Sequence, residues 1–230
     1  MKLSIIMPVY NEEKTISEII KKVQNVNLGI DKELIIVNDA STDSSQKIID
    51  KLKKQNKNIS SFQHKRNFGK GAAIRTGLKH FTGDVVTIQD ADLEYNPEDF
   101  KRMLSFILQG KTKAVYGSRL LGKSLGFSVP IHYYGNKFLS LITKLLYKSK
   151  ITDMETCYKM FTKDVAKNLK LKSNKFDIEP EITAKIIKQG NKIIEIPINY
   201  DGRSFKEGKK ITWKDGIIAI FTLLKYRFFN

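Results

Sequence analysis

Residues 85–94 read VVTIQDADLE, and the rest of the chain is best understood outward from this stretch. It begins as a short apolar run rich in β-branched residues, which is typical of a buried strand. It ends in an Asp-x-Asp pair. Residues two apart in an extended backbone point to the same side, so we expect the carboxylates of Asp90 and Asp92 to converge beyond the strand.

Two carboxylates this close repel each other unless a positive charge lies between them. A divalent cation such as Mg²⁺ or Mn²⁺ meets that need, because it takes oxygen ligands and keeps positions open for substrate phosphates. The alternative is a pair of solvated acids in a turn. The other motifs of the chain favour the metal site.

Strand-like and helix-like segments alternate along the chain. Strands are predicted at 3–9, 34–38 and 59–63, from 85, at 114–116, around 157 and at 193–200. Helices are predicted after Asn11, after Asp43 or Ser44, before Phe81, at 96–110, at 131–147, at 176–189 and after 212. Asn11 is predicted to cap the first helix, and Asn96-Pro97 to open the fourth. The alternation predicts an α/β fold with a mostly parallel, mixed, Rossmann-like sheet and helices on both faces.

The composition is that of a folded protein with an unusual charge. The 230 residues include 41 Lys and Arg against 24 Asp and Glu, a net charge of +17. This surplus favours a polyanionic partner, namely nucleic acid, an anionic membrane face or a phosphorylated substrate. The single cysteine, Cys157, excludes an intrachain disulfide framework and suits a reducing compartment. We expect a cytoplasmic chain without a signal or a transmembrane helix, since the longest uncharged apolar stretch, 216–224, is about half the length that a bilayer requires.

Polar side chains follow three of the predicted strands, at 8–13, 38–43 and 89–92. Ligands of open α/β sheets lie beyond the carboxyl ends of the strands. Asp39 stands directly at the end of an apolar strand, where a carboxylate needs a donor partner, and a base N–H of a nucleotide would provide one. The three histidines, His64, His80 and His132, form no ligand pattern, and core or surface roles are favoured for them.

Four motifs in this order, PVYNE at 8–12, VNDASTD at 37–43, NFGKG at 67–71 and DADLE at 90–94, resemble those of family 2 inverting glycosyltransferases of GT-A fold. Within that family the chain most resembles the dolichol- or polyprenyl-phosphate sugar synthases, such as mannosyl or glucosyl synthases. The resemblance implies a catalytic domain at 1–210. Its nucleotide-binding half would be 1–119 and its acceptor half 120–210, with a basic lid loop at 201–210. An amphipathic interfacial helix at 211–230 would follow.

The resemblance also implies roles for individual residues. The nucleotide base and ribose would be held by Pro8, Tyr10, Glu12 and Asp39. Other residues of the donor site would be Lys70, Asp90, Ala91 and Lys209. The metal would be bound by Asp90 and Asp92. Glu94 stands where many relatives have Gln, so it would either bind the metal too or add negative charge beside the diphosphate.

Four residues are candidates for the chemistry itself: Asp92, Arg119, Asp153 and Arg203. Arg119 follows a strand and would bind a phosphate with its planar fork, or else form a surface salt bridge. Asp153 is either a general base for a hydroxyl acceptor or a turn acid. Arg203 and Lys209 lie in the basic loop, which the resemblance makes a lid over the diphosphate.

The C-terminal segment begins with Thr212-Trp213-Lys214-Asp215, the pattern of a capping box. The helix after it carries more apolar residues than one buried face requires, with cations at both ends. This pattern is typical of a helix in the headgroup plane of an anionic membrane. A helix packed on the sheet or in a dimer interface is the alternative.

Together these features predict a metal-dependent, single in-line displacement that moves a sugar from a GDP- or UDP-sugar to a polyprenyl or dolichyl phosphate, on the inner face of the cell membrane. Alternatives are transfer to a saccharide hydroxyl in cell-surface polysaccharide synthesis, a nucleotidyltransferase, and a non-catalytic nucleic-acid-binding module, for which the chain has no stacking or base-reading motif. A separate membrane-protein partner or a homo-oligomer is compatible with the sequence.

Overall fold

The computed structural model describes residues 1–122, 130–203 and 212–229, without the side chains of residues 130–132. The strands are β1 (Lys2–Val9), β2 (Asp31–Asn38), β3 (Ile59–Gln63), β4 (Val85–Ile88), β5 (Ala114–Ser118), β6 (Lys159–Thr162) and β7 (Ile193–Pro197). The helices are α1 (Ile16–Asn25), α2 (Ser45–Gln55), α3 (Lys70–His80), α4 (Asp99–Leu108), α5 (Pro130–Tyr147), α6 (Lys163–Asn168), α7 (Ile178–Lys188) and α8 (Trp213–Phe228).

The seven strands form one sheet in the order β3-β2-β1-β4-β6-β5-β7. The pairs β3-β2, β2-β1, β1-β4 and β5-β7 are parallel, whereas β6 runs antiparallel to both of its neighbours. The predicted α/β fold with a mostly parallel, mixed sheet is therefore confirmed. Pro197 lies at the end of the edge strand β7, where a residue without an N–H disrupts no further strand pairing.

Alternating residues of β2 show that helices cover both faces of the sheet. Ile35 and Val37 pack with Ala73 of α3, whereas Leu34 and Ile36 belong to the main core, which contains the buried residues of α1. Gly77 brings α3 close to the sheet, because a Cβ at this position would lie 2.4 Å from Ile6 of β1. The central strands are accordingly buried on both sides, as parallel strands usually are.

Three local predictions were wrong in detail. Asn11 does not cap α1, which starts at Ile16; its backbone is left-handed, with φ of 55°, and its side chain accepts a hydrogen bond from the Thr42 N–H. Helix α4 starts at Asp99 rather than at Pro97, because the Asn96 side chain accepts the Glu98 N–H in a preceding turn. The strand expected around Cys157 starts two residues later, at Lys159. In the first two cases a side chain stabilises a turn before the helix, which propensity alone does not reveal.

The C-terminal helix is present, and its Asp215 side chain accepts the Thr212 N–H at 2.7 Å, as the capping-box pattern predicts. One face of α8, with Ala219, Leu223 and Tyr226, packs in a cluster with residues of α5 and α7. Within the described parts of the chain, every helix is too short or too polar to cross a bilayer.

Candidate active site

A cavity of about 770 Å³ lies where the carboxyl ends of β1, β2 and β4 meet, the edge at which the sequence predicts a ligand. Most of the predicted site residues line it: Pro8, Tyr10, Glu12, Asp39, Lys70, Asp90, Ala91, Asp92, Glu94, Arg119 and Arg203. Asp153 is buried behind Arg119, and Lys209 lies outside the described residues. The first strands of the sheet thus bring together residues that are far apart in sequence.

Arg203 connects the carboxylates of this cavity. Its guanidinium lies 3.1 Å from Glu12 and 3.0 Å from Asp92, and its Nε lies 3.7 Å from Glu94. The predicted basic residue of the second half therefore lies among the acidic residues of the first half. An arginine in this position neutralises the carboxylates and presents a planar cation to the cavity.

Asp92 lies in a crowded acidic environment. Burial, followed by the neighbouring charges of Asp90 and Glu94, raises the pKa of Asp92 to about 7, although Arg203 opposes this shift. The predicted extended geometry of the Asp-x-Asp pair is wrong, because β4 ends at Ile88 and the pair lies beyond it, with Asp92 in a turn. The carboxylates nevertheless lie close enough for their charges to interact, and such a group favours a bound cation.

The other carboxylate of the pair, Asp90, has a partner in the chain. Lys70, at the start of α3, lies 2.8 Å from Asp90 and 3.1 Å from Glu179 of α7. Glu179 also pairs with the fully buried Lys159 of β6. This network of alternating charges joins residues of the first half of the chain to residues of the second half.

Glu94 holds the segment that carries Arg203. Its carboxylate accepts hydrogen bonds from the Tyr200 hydroxyl at 2.6 Å and from the Arg203 N–H at 2.8 Å. Its backbone carbonyl accepts the Asp201 N–H at 3.0 Å. The departure from the more frequent Gln thus has a visible role here, because a carboxylate accepts both bonds and also attracts the guanidinium.

Asp39 is almost completely buried, and its donors come from the chain itself. Its carboxylate accepts hydrogen bonds from His64 Nδ1 and from the N–H groups of Phe68 and Gly69. The opposite nitrogen of His64 lies 2.9 Å from the Thr76 hydroxyl. His64 was not among the predicted site residues, because no pattern in the neighbouring sequence indicates that the segment after β3 would place it on Asp39, which follows β2.

Arg119 and Asp153 form a buried ion pair. The Asp153 carboxylate accepts hydrogen bonds from the Arg119 Nε, Nη2 and backbone N–H at 2.7–2.8 Å, and from the Asn136 amide at 2.7 Å. Burial alone would raise the pKa of Asp153, but the charge and the hydrogen bonds of Arg119 hold it below its usual range. The alternative of a surface salt bridge is wrong for Arg119, which is buried. The catalytic roles of both residues stay predictions, and this geometry favours a role of Asp153 in positioning Arg119.

A second acid of the same segment, Glu155, lines the cavity. Its Oε1 is buried and has no hydrogen-bond partner among the described residues. Burial is the main reason that the pKa of Glu155 is raised to about 7. Such a carboxyl is suited to exchange a proton with a bound molecule.

Another part of the cavity lining is apolar. Its wall is made by side chains of α5 and α8: Phe138, Leu139, Trp213, Ile217 and Ile220. Phe138, Trp213 and Ile217 are also solvent-exposed. The cavity is therefore lined both by a cluster of charged residues and by exposed apolar side chains.

The sequence pattern of the family described as "Glycosyl transferase family 2" matches residues 4–170. This chain belongs to glycosyl transferase family 2. It is 26% identical over 236 residues to the uncharacterized protein MJ1222 of Methanocaldococcus jannaschii, an alignment that covers 99% of this chain and 93% of that protein.

Crystal structures share the fold of this family 2 glycosyltransferase. Glucosyl-3-phosphoglycerate synthase from Mycobacterium tuberculosis, in complex with Mn²⁺, uridine diphosphate and phosphoglyceric acid, matches with a TM-score of 0.73 and 16% identity over 100% of this chain and 79% of that one. The same enzyme with Mg²⁺ and uridine diphosphate gives a TM-score of 0.74 and 16% identity, covering 100% and 80%. A mycobacterial protein gives 0.76 and 17%, covering 100% and 76%.

The family 2 glycosyltransferase is an enzyme that transfers a sugar, and its fold is of the GT-A type, as the motifs implied. Membership in the family excludes the reading of the chain as a non-catalytic nucleic-acid-binding module.

Proposed function

We propose that this glycosyltransferase transfers a sugar from a GDP- or UDP-sugar to a polyprenyl or dolichyl phosphate at the surface of an anionic membrane, with Mg²⁺ or Mn²⁺ as cofactor. The observation that carries this proposal is the lining of the cavity. Its charged residues suit a nucleoside diphosphate, and its apolar residues belong to α5 and α8, which also expose large apolar side chains. A lipid phosphate combines a charged phosphate group and an apolar chain in one molecule.

The donor would lie along the carboxyl ends of the first strands. Pro8, Tyr10, Glu12 and Asp39 are the residues proposed to hold the base and the ribose, with Lys70 and Ala91 beside them. Arg203 is within reach of the same space, because it lies between Glu12 and Asp92. Lys209, six residues further on, is proposed as a second phosphate contact.

The carboxylates present fit a divalent cation. The described residues show no group of three or more His, Cys, Asp or Glu side chains that would hold a metal ion. Mg²⁺ is usually bound through one or two carboxylates together with substrate phosphates. Asp92, whose ionised form is disfavoured by burial and by its acidic neighbours, is the first proposed ligand, followed by Asp90 and then Glu94. When bound, the cation would offset negative charge on the diphosphate.

The reaction proposed is one in-line displacement with inversion. An oxygen of the lipid phosphate attacks the anomeric carbon, while the bond to the diphosphate breaks on the opposite face. The planar cation of Arg203 is placed to stabilise the charge on the departing diphosphate. A phosphate acceptor is ionised already, so this reaction needs no general base.

The exposed sides of α5 and α8 are proposed to contact the membrane. Both helices expose large apolar side chains in addition to the faces that they bury: Tyr134, Phe138, Leu141, Leu145, Trp213, Ile217, Ile218, Phe221, Leu224 and Phe228. Lys137, Lys214, Lys225 and Arg227 are exposed on the same two helices. Apolar residues accompanied by cations suit the headgroup region of an anionic bilayer.

We expect the protein to sediment with vesicles that contain anionic lipid at low salt and to be released by high salt, because salt screens the attraction of the cations. Replacing both Phe221 and Phe228 by serine should weaken this binding by at least about tenfold, since burying one such side chain contributes roughly 1.5–3 kcal/mol. Truncation of α8 is a poorer test, because its buried face packs on α5 and α7. Leu108→Ser, an exposed position on α4, is the matched control. Equal sedimentation of the double variant and the control would show that these helices do not bind the membrane.

A saccharide hydroxyl is the second candidate acceptor, and one observation favours it. Glu155 lines the cavity with a buried, unpartnered oxygen, the arrangement that a general base needs. Glu155→Gln should therefore lower transfer to a hydroxyl acceptor by about 100-fold or more, but change transfer to a lipid phosphate only about threefold. Glu18→Gln, on the exposed side of α1, is the control. A loss of 100-fold with the lipid phosphate would contradict the mechanism without a base.

The same substitution has a predicted effect on stability. A carboxyl with a raised pKa holds its proton in the folded state after the unfolded chain has lost it, so the free energy of unfolding of the wild type falls between about pH 4.5 and pH 7. The Glu155→Gln variant has no carboxyl at this position and does not lose stability in this way. The difference between its Tm and that of the wild type should therefore rise from pH 5 to pH 8, by about 2–4 °C for each kcal/mol of unfolding free energy that the wild type loses. A constant difference in Tm across this range would show that Glu155 does not titrate there.

A further inference from the structure

The hydrogen bonds of Asp39 limit what a bound base can donate to it. A carboxylate offers four acceptor positions, two on each oxygen. Oδ1 accepts from His64 Nδ1 at 2.7 Å and from the Phe68 N–H at 2.9 Å. Oδ2 accepts from the Gly69 N–H at 2.7 Å. Oδ1 is therefore filled by the chain itself, and among the described residues only Oδ2 has a position left.

The nucleobases differ in the number of donors that they present to such a group. Guanine presents N1–H and the N2 amino group side by side, so both are satisfied only when each carboxylate oxygen has a free position. The imide of uracil or thymine presents a single N–H between two carbonyl groups. Adenine and cytosine place a ring nitrogen with a lone pair beside their amino group, and this lone pair would face the negative charge of Asp39.

We propose that Asp39, with one carboxylate oxygen filled by His64 and Phe68, selects a donor whose base is a pyrimidine imide, namely a uridine or thymidine diphosphate sugar, over a guanosine diphosphate sugar. This inference rests on the proposed function, because it names the nucleotide that the donor site takes. Guanine would leave one donor unsatisfied in a buried site, which costs free energy.

His64 is a positioning residue in this selection, because it fills one acceptor position on Asp39 Oδ1. Asp39 accepts two backbone N–H groups besides the histidine, so His64 Nδ1 carries the proton and donates it. The other ring nitrogen, Nε2, lies 2.9 Å from the Thr76 hydroxyl. Thr76 on α3 thus fixes the ring orientation that fills Oδ1. Phe68 contributes only its backbone N–H, so side-chain substitution can open this position only at His64.

The direct test is a binding panel on the full chain. The dissociation constants of UDP, dTDP, GDP, ADP and CDP are measured by calorimetry in the presence of Mn²⁺. The imide nucleotides should bind at least about tenfold more tightly than GDP, ADP and CDP, because an unsatisfied buried donor costs about 1–3 kcal/mol and 1.4 kcal/mol is tenfold. GDP, ADP or CDP binding as tightly as UDP would overturn the inference.

Substitution of His64 tests whether its hydrogen bond to Asp39 causes the preference for a pyrimidine imide. His64→Ala opens the second position on Oδ1, so the UDP-to-GDP preference should fall to about threefold or less, whereas His64→Gln, which keeps a side-chain N–H, should retain it. The ratio of two affinities measured on one variant does not depend on the folded fraction. His80→Ala, at an exposed histidine stacked on Phe62, should leave the ratio unchanged. An unchanged ratio in His64→Ala would overturn the role of His64.

Failure of this inference and failure of the proposed function are distinguishable. An enzyme that makes glycosyl lipid from a GDP-sugar but not from a UDP- or dTDP-sugar overturns the base selection and leaves the proposed function standing. A protein that binds none of the five nucleoside diphosphates overturns both. Transfer from a UDP- or dTDP-sugar alone supports both.

Discussion

Asp92→Ala should abolish sugar transfer while the protein stays folded. The carboxylate is the first proposed metal ligand, and removal of a group that stabilises developing charge costs about 100- to 1000-fold in turnover. Its ionised form is disfavoured by burial and by its acidic neighbours, so we expect the Tm to change by only a few degrees. Asp90→Ala should lower transfer less severely, since Asp90 also has Lys70 as its partner.

The measurement is initial transfer rate together with the Tm of each variant. Asp50→Ala, at an exposed position on α2, controls for the loss of an acid elsewhere. EDTA should inactivate the wild type, and added Mg²⁺ or Mn²⁺ should restore it. Full activity in excess chelator would remove the metal from the mechanism.

Arg203→Ala should reduce kcat/KM by an amount that corresponds to about 2–4 kcal/mol of transition-state stabilisation. The guanidinium contacts Glu12 and Asp92 and lies where a diphosphate is proposed to bind. Arg203→Lys should recover only part of the loss, because a point charge cannot replace two parallel hydrogen bonds of a planar fork.

Arg102→Ala is the matched control for Arg203. Arg102 is an exposed arginine of α4 that donates to the carbonyl of Pro197 at 3.1 Å, outside the cavity. It should leave kcat/KM within about twofold of the wild type. If Arg203→Ala gave the same result as this control, Arg203 would have no part in binding the diphosphate.

The order of strands and helices could be predicted from the sequence because it depends on local patterns. Short apolar runs give strands, and apolar residues at helical spacing give helices such as α1, whose Ile16, Ile19, Ile20 and Val23 are all buried. Ligands of open α/β sheets lie beyond the carboxyl ends of the strands, and this rule predicted that Glu12, Asp39 and Asp92 would lie at one site. Helix starts were less predictable, because turns such as the one at Asn11 depend on a backbone N–H group 31 residues away, that of Thr42.

The finer structure of the site could not be predicted, because it depends on pairs that are distant in sequence. Arg119 and Asp153 are 34 residues apart. Because they form a buried pair, the Asp153 carboxylate is occupied by hydrogen bonds, whereas Glu155 has a buried oxygen without a partner among the described residues. His64 and Asp39 are 25 residues apart and follow different strands, β3 and β2. Arg203 and Glu12 are 191 residues apart. Residue type indicated which chemistry to expect, whereas tertiary packing determined which partner each group has.

One transfer assay tests the central claim most directly. The wild-type protein is incubated with labelled nucleotide sugars, a polyprenyl phosphate and Mn²⁺, and the label extracted with the lipid is counted. We predict labelled glycosyl lipid that requires both the lipid phosphate and the metal and that is lost in Asp92→Ala. Transfer to a saccharide hydroxyl with no labelled lipid from any donor would contradict the account.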